Sequence, residues 1–309
     1  MQVDVVHLKK YFGKTRAVDD ISFSFGGGQI FGFVGPNGAG KTTAIRIMAT
    51  LLDPTEGDVL IGGISVVEEP EKARHLMGYM PDTLPTHSDM TVHDYLDFFA
   101  RAYGINSRRR HAVVEGVEQF ANLLGIRDKL LKALSKGMKQ RVSLARSLVH
   151  NPSVLIMDEP ASSLDPRARV ELRELLKILA GQGKAILISS HILTELAEVC
   201  HGAVIIEQGK ILQAGSIDQL NQLMEQRRLI TIRPLDRIDE LYKELLQTPY
   251  VEQVSYSGKA LEIETRGGAE ISSDILGQLV RKGYRIADFR QKQADLEDIF
   301  MNLTKGEVQ

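Results

Sequence analysis

Three short segments carry residue types whose spacing points to phosphate chemistry. The first is Gly35-Pro36-Asn37-Gly38-Ala39-Gly40-Lys41-Thr42-Thr43, which fits the glycine-rich phosphate-loop pattern at every required position. Glycines let the backbone curl so that successive N–H groups face inward, and the helix starting at the lysine adds its positive end. Lys41 is expected against the β- and γ-phosphates of a nucleoside triphosphate, with the Thr42 hydroxyl on Mg²⁺. The second segment is VLIMDEP, 154–160. Its four apolar residues bury a strand and carry Asp158 and Glu159 to the C-terminal edge, where open α/β sheets bind ligands. Asp158 is expected to hold the Mg²⁺ through water, and Glu159 to orient and deprotonate the attacking water. The third is LSKGMKQRVSLARS, 134–147, where a serine, a glycine and a helix start suit a second anion. Ser135 would also serve as the N-cap of a helix that turns Val142, Ala145 and Val149 inward, and both roles can hold together.

Leu134-Ser135-Lys136-Gly137-Met138, followed by KQRVSLARSLVHNPSVLIMDEP, resembles the signature segment and second carboxylate motif of ABC-type ATPases. Lys136 and Met138 depart from the usual Leu-Ser-Gly-Gly-Gln. The resemblance continues through Ser163-Leu164-Asp165, similar to the loop that crosses the dimer interface, and His191, similar to the switch histidine. It covers about residues 1–220, with the motifs in the family's order.

That resemblance implies ATP with Mg²⁺, and a head-to-tail pair of copies. In the pair, the Ser135 side chain and Gly137 backbone donate to the γ-phosphate held by the other copy, and Asp165 takes an interface role. It implies further that His191 contacts the γ-phosphate and the attacking water, and that Tyr11, in LKKYFGKTRAV, stacks on adenine. In GYMPD, 78–82, the family commonly has glutamine where this chain has Asp82. A carboxylate there still suits Mg²⁺ and the water, while its coupling to a membrane partner is left open. The implied function is the ATP-hydrolysing subunit of an ABC transporter. It would be cytoplasmic and peripheral on the inner face of the cell membrane, pairing with a second copy on a separate integral membrane permease. The end ADLEDIFMNLTKGE, 294–307, is similar to the drug-, antibiotic- and polysaccharide-exporting branch, which implies export. The alternative is a soluble ABC-type ATPase acting on nucleic acid or ribosomes. Such relatives usually carry two ATPase domains or a long coiled coil between the motifs. Here there is one phosphate loop, and about 90 residues separate it from the signature segment.

The elements that must position these residues are legible as alternating runs. IFGFVG (30–35), VLIMDE (154–159) and KAILISSH (184–191) read as short buried strands, and KTTAIRIMATLL (41–52) as the helix after the loop. Such strands alternating with helices predict a mostly parallel sheet covered on both faces. In PRARVELRELLKILAG (166–181), Leu172, Leu175, Leu176 and Leu179 form one apolar helical stripe, with Asp165 as N-cap and Pro166 in the first turn. A helix-rich insert is expected at about 85–150. With the resemblance, the fold class is a P-loop NTPase of ABC ATPase type, a mixed sheet core with a helical insert spanning residues 1–225. After the polar stretch NQLMEQRR (221–228), the strand and helix order βαββαβ predicts a small accessory α+β domain of ferredoxin-like type over 229–309.

Composition sets limits. A net charge of -2 supplies no general attraction to nucleic acid, and residues 229–309 carry 11 Lys and Arg against 14 Asp and Glu. No nucleic-acid partner is therefore expected. The run Arg108-Arg109-Arg110 reads as a solvated helix face. One cysteine, Cys200, allows no intrachain disulfide. The start, MQVDVVHLKKYF, lacks the pattern of an export signal, and the apolar runs are far shorter than the ~20 residues that span a bilayer. Any membrane role is expected to come through a partner.

Overall fold

Alternation of apolar and polar residues builds the first sheet. Strands β1 (Gln2–Phe12) and β2 (Thr15–Gly26) pair antiparallel with Val3 opposite Phe25 and Val5 opposite Phe23. After them come β3 (Ile30–Val34), the phosphate loop and α1 (Lys41–Met48). The first sheet is completed by β4 (Glu56–Ile61), antiparallel to β1, and β5 (Ile64–Ser65). In this computed structural model the described residues are 1–84, 89–162, 164–192, 196, 198–220, 227–266 and 269–293.

The chain continues through α2 (Pro70–Leu76) and β6 (Met77–Met80) into the insert of α3 (Val92–Ala102), α4 (Ser107–Phe120) and α5 (Lys136–Leu148). It returns as β7 (Val154–Met157), α6 (Pro166–Gly181), β8 (Ala185–Ser190), β9 (Gly202–Glu207) and β10 (Lys210–Ser216). The second sheet has the order β10-β9-β3-β8-β7-β6, and β9, β3, β8, β7 and β6 run parallel. Every residue of β7, β8 and β9 is buried, as a parallel strand covered on both faces requires. Each large apolar side chain buried there contributes about 1.5–3 kcal/mol before entropy is charged against it.

Both sheets share one core, in which Phe23 stacks on Phe33 at 5.5 Å and on Phe31 at 6.2 Å. The insert has its own core around Tyr95, Leu96, Val114, Leu131 and Val142. Segment 127–131 is stitched to the start of α3 there: Val92 N–H donates to Lys129 O at 3.1 Å and His93 N–H to Arg127 O at 3.0 Å. The stripe of α6 is buried at Leu172, Leu176 and Leu179 and half-buried at Leu175. Helix α1 is shorter than its sequence run suggests, because Thr50 turns to φ 58 just beyond its end.

The chain divides into two compact units between Gly215 and Ser216. The second unit contains β11 (Arg227–Pro234), α7 (Ile238–Leu246), β12 (Val251–Ser257), β13 (Ala260–Arg266), α8 (Ala269–Arg281) and β14 (Ile286–Gln293). Its antiparallel sheet has the order β12-β13-β11-β14, a split βαβ arrangement over a core of Ile230, Ile232, Leu241, Leu261 and Ile263. The compositional change near residue 225 lies later than the division, and most of the expected linker, like the 294–307 segment, lies outside the described residues. Among the described residues no helix is long and apolar enough to cross a membrane.

Candidate active site

The phosphate loop leaves the end of β3 under constraints that only glycine meets. A Cβ on Gly35 would stand 2.3 Å from Ile206 O, and one on Gly40, at φ 104, would stand 2.2 Å from Ala17 O. Gly40 is the N-cap of α1 and offers no side-chain cap, so the first N–H groups of the helix are left for an anion. Lys41 is 6% exposed; its Nζ donates to Gly35 O at 2.6 Å and Pro36 O at 3.2 Å, and lies 3.5 Å from Glu159 Oε1. Burial pushes the Lys41 pKa down, against the pull of the Glu159 and Asp158 charges.

Strand β7 delivers the two carboxylates. Asp158 is 3% exposed, and its Oδ1 accepts from Ser189 Oγ at 2.8 Å. The same Ser189 oxygen accepts the Glu159 N–H at 2.8 Å. Burial raises the Asp158 pKa; the Ser189 and Thr42 hydroxyls bonded to the carboxyl oppose this, and the Glu159 and Asp82 charges add to it. Glu159 stands at φ 49, a left-handed conformation that costs a non-glycine residue about 1 kcal/mol or more. Its carboxylate is aimed by that backbone, with Oε2 3.0 Å from Nδ1 of His191 just beyond β8.

Lys41 and Glu159 border a cleft of about 370 Å³ lined by Pro36 to Thr43 of the loop, with Thr15, Ala17, Asp82 and Glu159. Asp82 follows β6; its Oδ1 accepts from Ser162 Oγ at 3.1 Å and its backbone carbonyl from Gln140 Nε2 at 2.9 Å. The chain thus brings together the loop, Asp82, Asp158, Glu159 and His191. Tyr11 is not brought to the cleft wall: its hydroxyl donates to Asp19 Oδ1 at 2.8 Å, and the Arg16 guanidinium covers its ring at 5.6 Å.

Ser135, Gly137 and Asp165 do not line the cleft either. Ser135 is the exposed N-cap of α5, its Oγ accepting from Met138 N–H at 3.3 Å. Asp165 is the exposed N-cap of α6, accepting from Ala168 N–H at 2.9 Å. The two segments are neighbours, since a Cβ on Gly137 would stand 3.5 Å from Leu164 Cδ2. Met138 packs on the insert core, an apolar use for the position where the family has glutamine. Ser163 lies outside the described residues. Sequence reading missed Ser189, Thr15, Ala17 and Gln140. Only Ser189 left a trace, as a polar residue closing an apolar run.

The donors suit Mg²⁺. A carboxylate whose pKa is raised by burial and by the neighbouring Glu159 and Asp82 charges, beside a threonine hydroxyl and a second carboxylate, is a hard oxygen set. Among the described residues no three His, Cys, Asp or Glu side chains could cage a metal alone.

A family model described as ABC transporter matches residues 18–162, and one described as ATP-binding protein DrrA1-3-like, C-terminal domain, matches residues 215–304. Nod factor export ATP-binding protein I of Bradyrhizobium diazoefficiens is 35% identical over 100% of this chain and 98% of its own. An uncharacterized ABC transporter ATP-binding protein of Bacillus subtilis is 31% identical over 97% of this chain and 99% of its own. A solved ATP-binding subunit of an ABC transporter aligns with TM-score 0.67 and 28% identity, covering 80% of this chain and 100% of that one. A dimeric ATP-binding cassette in a post-hydrolysis state, bound to ADP and Pi, shares the fold with TM-score 0.64 and 22% identity, over 70% and 98% of the two chains.

Proposed function

The chain belongs to the ABC transporter ATP-binding family, and from that premise we propose that two copies, closing head to tail on ATP, drive export through a separate membrane permease. The chain binds and hydrolyses ATP, as its family does. The reading of closure rests on one observation: the cleft is walled by the loop, Asp82 and Glu159, while the exposed Ser135 segment stands outside it. A second copy turned end for end would lay that segment, at the positive end of α5, over the first copy's phosphates.

Within this arrangement Lys41 and the N–H groups of the loop neutralise the β- and γ-phosphates. Glu159 orients and deprotonates the attacking water, and His191, 3.0 Å from its carboxylate, holds it in place and contacts the γ-phosphate. Mg²⁺ would be held by Thr42 and Asp158, with Asp82 beside them, and supplies charge neutralisation when bound. Tyr11 meets adenine once Arg16 leaves its ring. Closure moves the permease, hydrolysis separates the copies, and the work is done at the cytoplasmic face of the membrane. Export is favoured by relatives named for Nod factor export that align along the whole chain.

Glu159→Gln tests the reading. The variant should bind ATP and elute as a dimer with it, while turnover falls by at least ~10²-fold. A monomer by light scattering at saturating ATP, with phosphate release unchanged, would sink it.

A further inference from the structure

Both segments that the proposed pairing offers to a second copy are anchored on one residue of the chain's own cleft. Gln140 lies in α5 about one and a half turns beyond Ser135 and is 4% exposed. Its Nε2 donates to the Asp82 carbonyl at 2.9 Å. Ser162, which leads into Leu164 and Asp165, donates to Asp82 Oδ1 at 3.1 Å. Asp82 lines the cleft with Lys41 and Glu159. Gln140 Oε1, by contrast, is buried without a hydrogen-bond partner, although buried amides normally use both ends. The side chain is committed to one backbone carbonyl and leaves its acceptor idle.

We propose that Gln140 is a positioning residue that makes the two clefts of a dimer report to each other. It ties the signature segment each chain offers its partner to Asp82 in the chain's own cleft. The inference rests on the head-to-tail reading above. A nucleotide that draws Asp82 inward shifts the carbonyl that Gln140 holds, and α5, a rigid rod over this length, carries Ser135 with it. Ser162 brings the Leu164–Asp165 segment along through the carboxylate, and the contact between Leu164 and Gly137 keeps the two segments together. Occupation of one cleft thereby sets the posture of the donors that complete the other, a coupling of two distinct sites through one packed element.

The test is steady-state ATP hydrolysis by the full chain across ATP concentration, for wild type, Gln140→Leu, Ser162→Ala and Ser135→Arg. The wild type should show a Hill coefficient above one, with two as its ceiling for two sites. Gln140→Leu, which keeps the volume and removes the donor, should bring the coefficient to one and shift half-saturation about 5-fold or more, the size of ordinary coupling. Ser162→Ala should shift both in the same direction, and it carries the test if the leucine variant does not melt as a folded protein. Binding of a fluorescent ATP analogue to single chains should be unchanged in both. A wild-type coefficient of one, or a folded Gln140→Leu or Ser162→Ala with the wild-type curve, overturns the inference. Ser135→Arg separates the two claims. Turnover that survives it removes the head-to-tail reading, whereas turnover lost there beside an unaltered Gln140→Leu curve removes the coupling alone.

Discussion

Asp158→Asn should make the nucleotide-free chain more stable while abolishing its turnover. The wild-type carboxyl is 3% exposed, and burial together with the Glu159 and Asp82 charges holds its pKa above the usual carboxylate range. The sign follows from linkage. A carboxyl whose folded pKa is raised favours the fold below its unfolded pKa, near 4, and that contribution is lost as pH rises through the folded pKa. At neutral pH the ionised Asp158 is therefore a net cost to the fold. Asparagine keeps Oδ1 for the Ser189 hydroxyl, and its Nδ2 can donate to Thr42 if that hydroxyl turns to accept. The two bonds lose their charge assistance, about 1 kcal/mol together. Removing an under-compensated buried charge returns on the order of 2–3 kcal/mol. The net gain is about 1–2 kcal/mol, or roughly 2–8 °C in melting temperature for a unit of this size. Calorimetry without nucleotide at pH 7.5 and at pH 3 measures it, and the gap should narrow at the lower pH, which lies below the unfolded carboxyl pKa and hence below the raised one. An asparagine variant that melts lower at pH 7.5, or whose gap is the same at both, would refute the reasoning.

Three further outcomes are expected. Gly40→Ala should cost about 1–3 kcal/mol and nucleotide affinity with it, because its Cβ would meet Ala17 O at 2.2 Å and its φ is 104; an unchanged melt and affinity would contradict this. Cys200, whose thiol burial pushes up to about 12, should resist Ellman's reagent in the native chain and react fully in concentrated guanidinium, and fast native labelling would argue against that burial. Ser135→Ala should lose about 1 kcal/mol of helix capping, whereas Ser135→Gly loses only a few tenths. Both should weaken ATP-dependent pairing alike, and pairing that follows the melt instead would mean the serine only caps.

Much of the site was legible because its pieces are local. The phosphate loop is a contiguous string whose glycines answer to contacts at 2.3 and 2.2 Å, and the capping roles of Ser135 and Asp165 follow from residues three positions on. The first sheet was harder to see. Its pairing of β1 with β4 spans some fifty residues, and a bulge near His7, at φ 47, breaks the alternation that would have marked β1. Non-local partnership also hid Gln140, whose amide reaches a backbone carbonyl 58 positions away, and Ser189, which bonds two residues about thirty positions upstream. Asp82 was visible as a departure from family form, yet what it touches depended on Ser162 arriving from a distant turn.

Ser189 has one further consequence. Its single oxygen is a common reference for the Asp158 carboxylate, which takes the hydroxyl proton, and for the main chain of Glu159, whose N–H it accepts through a lone pair. A displacement of the end of β8 would therefore carry the Asp158 carboxylate and the Glu159 backbone together. An alanine there would release both from their shared origin at once, whereas threonine would keep it.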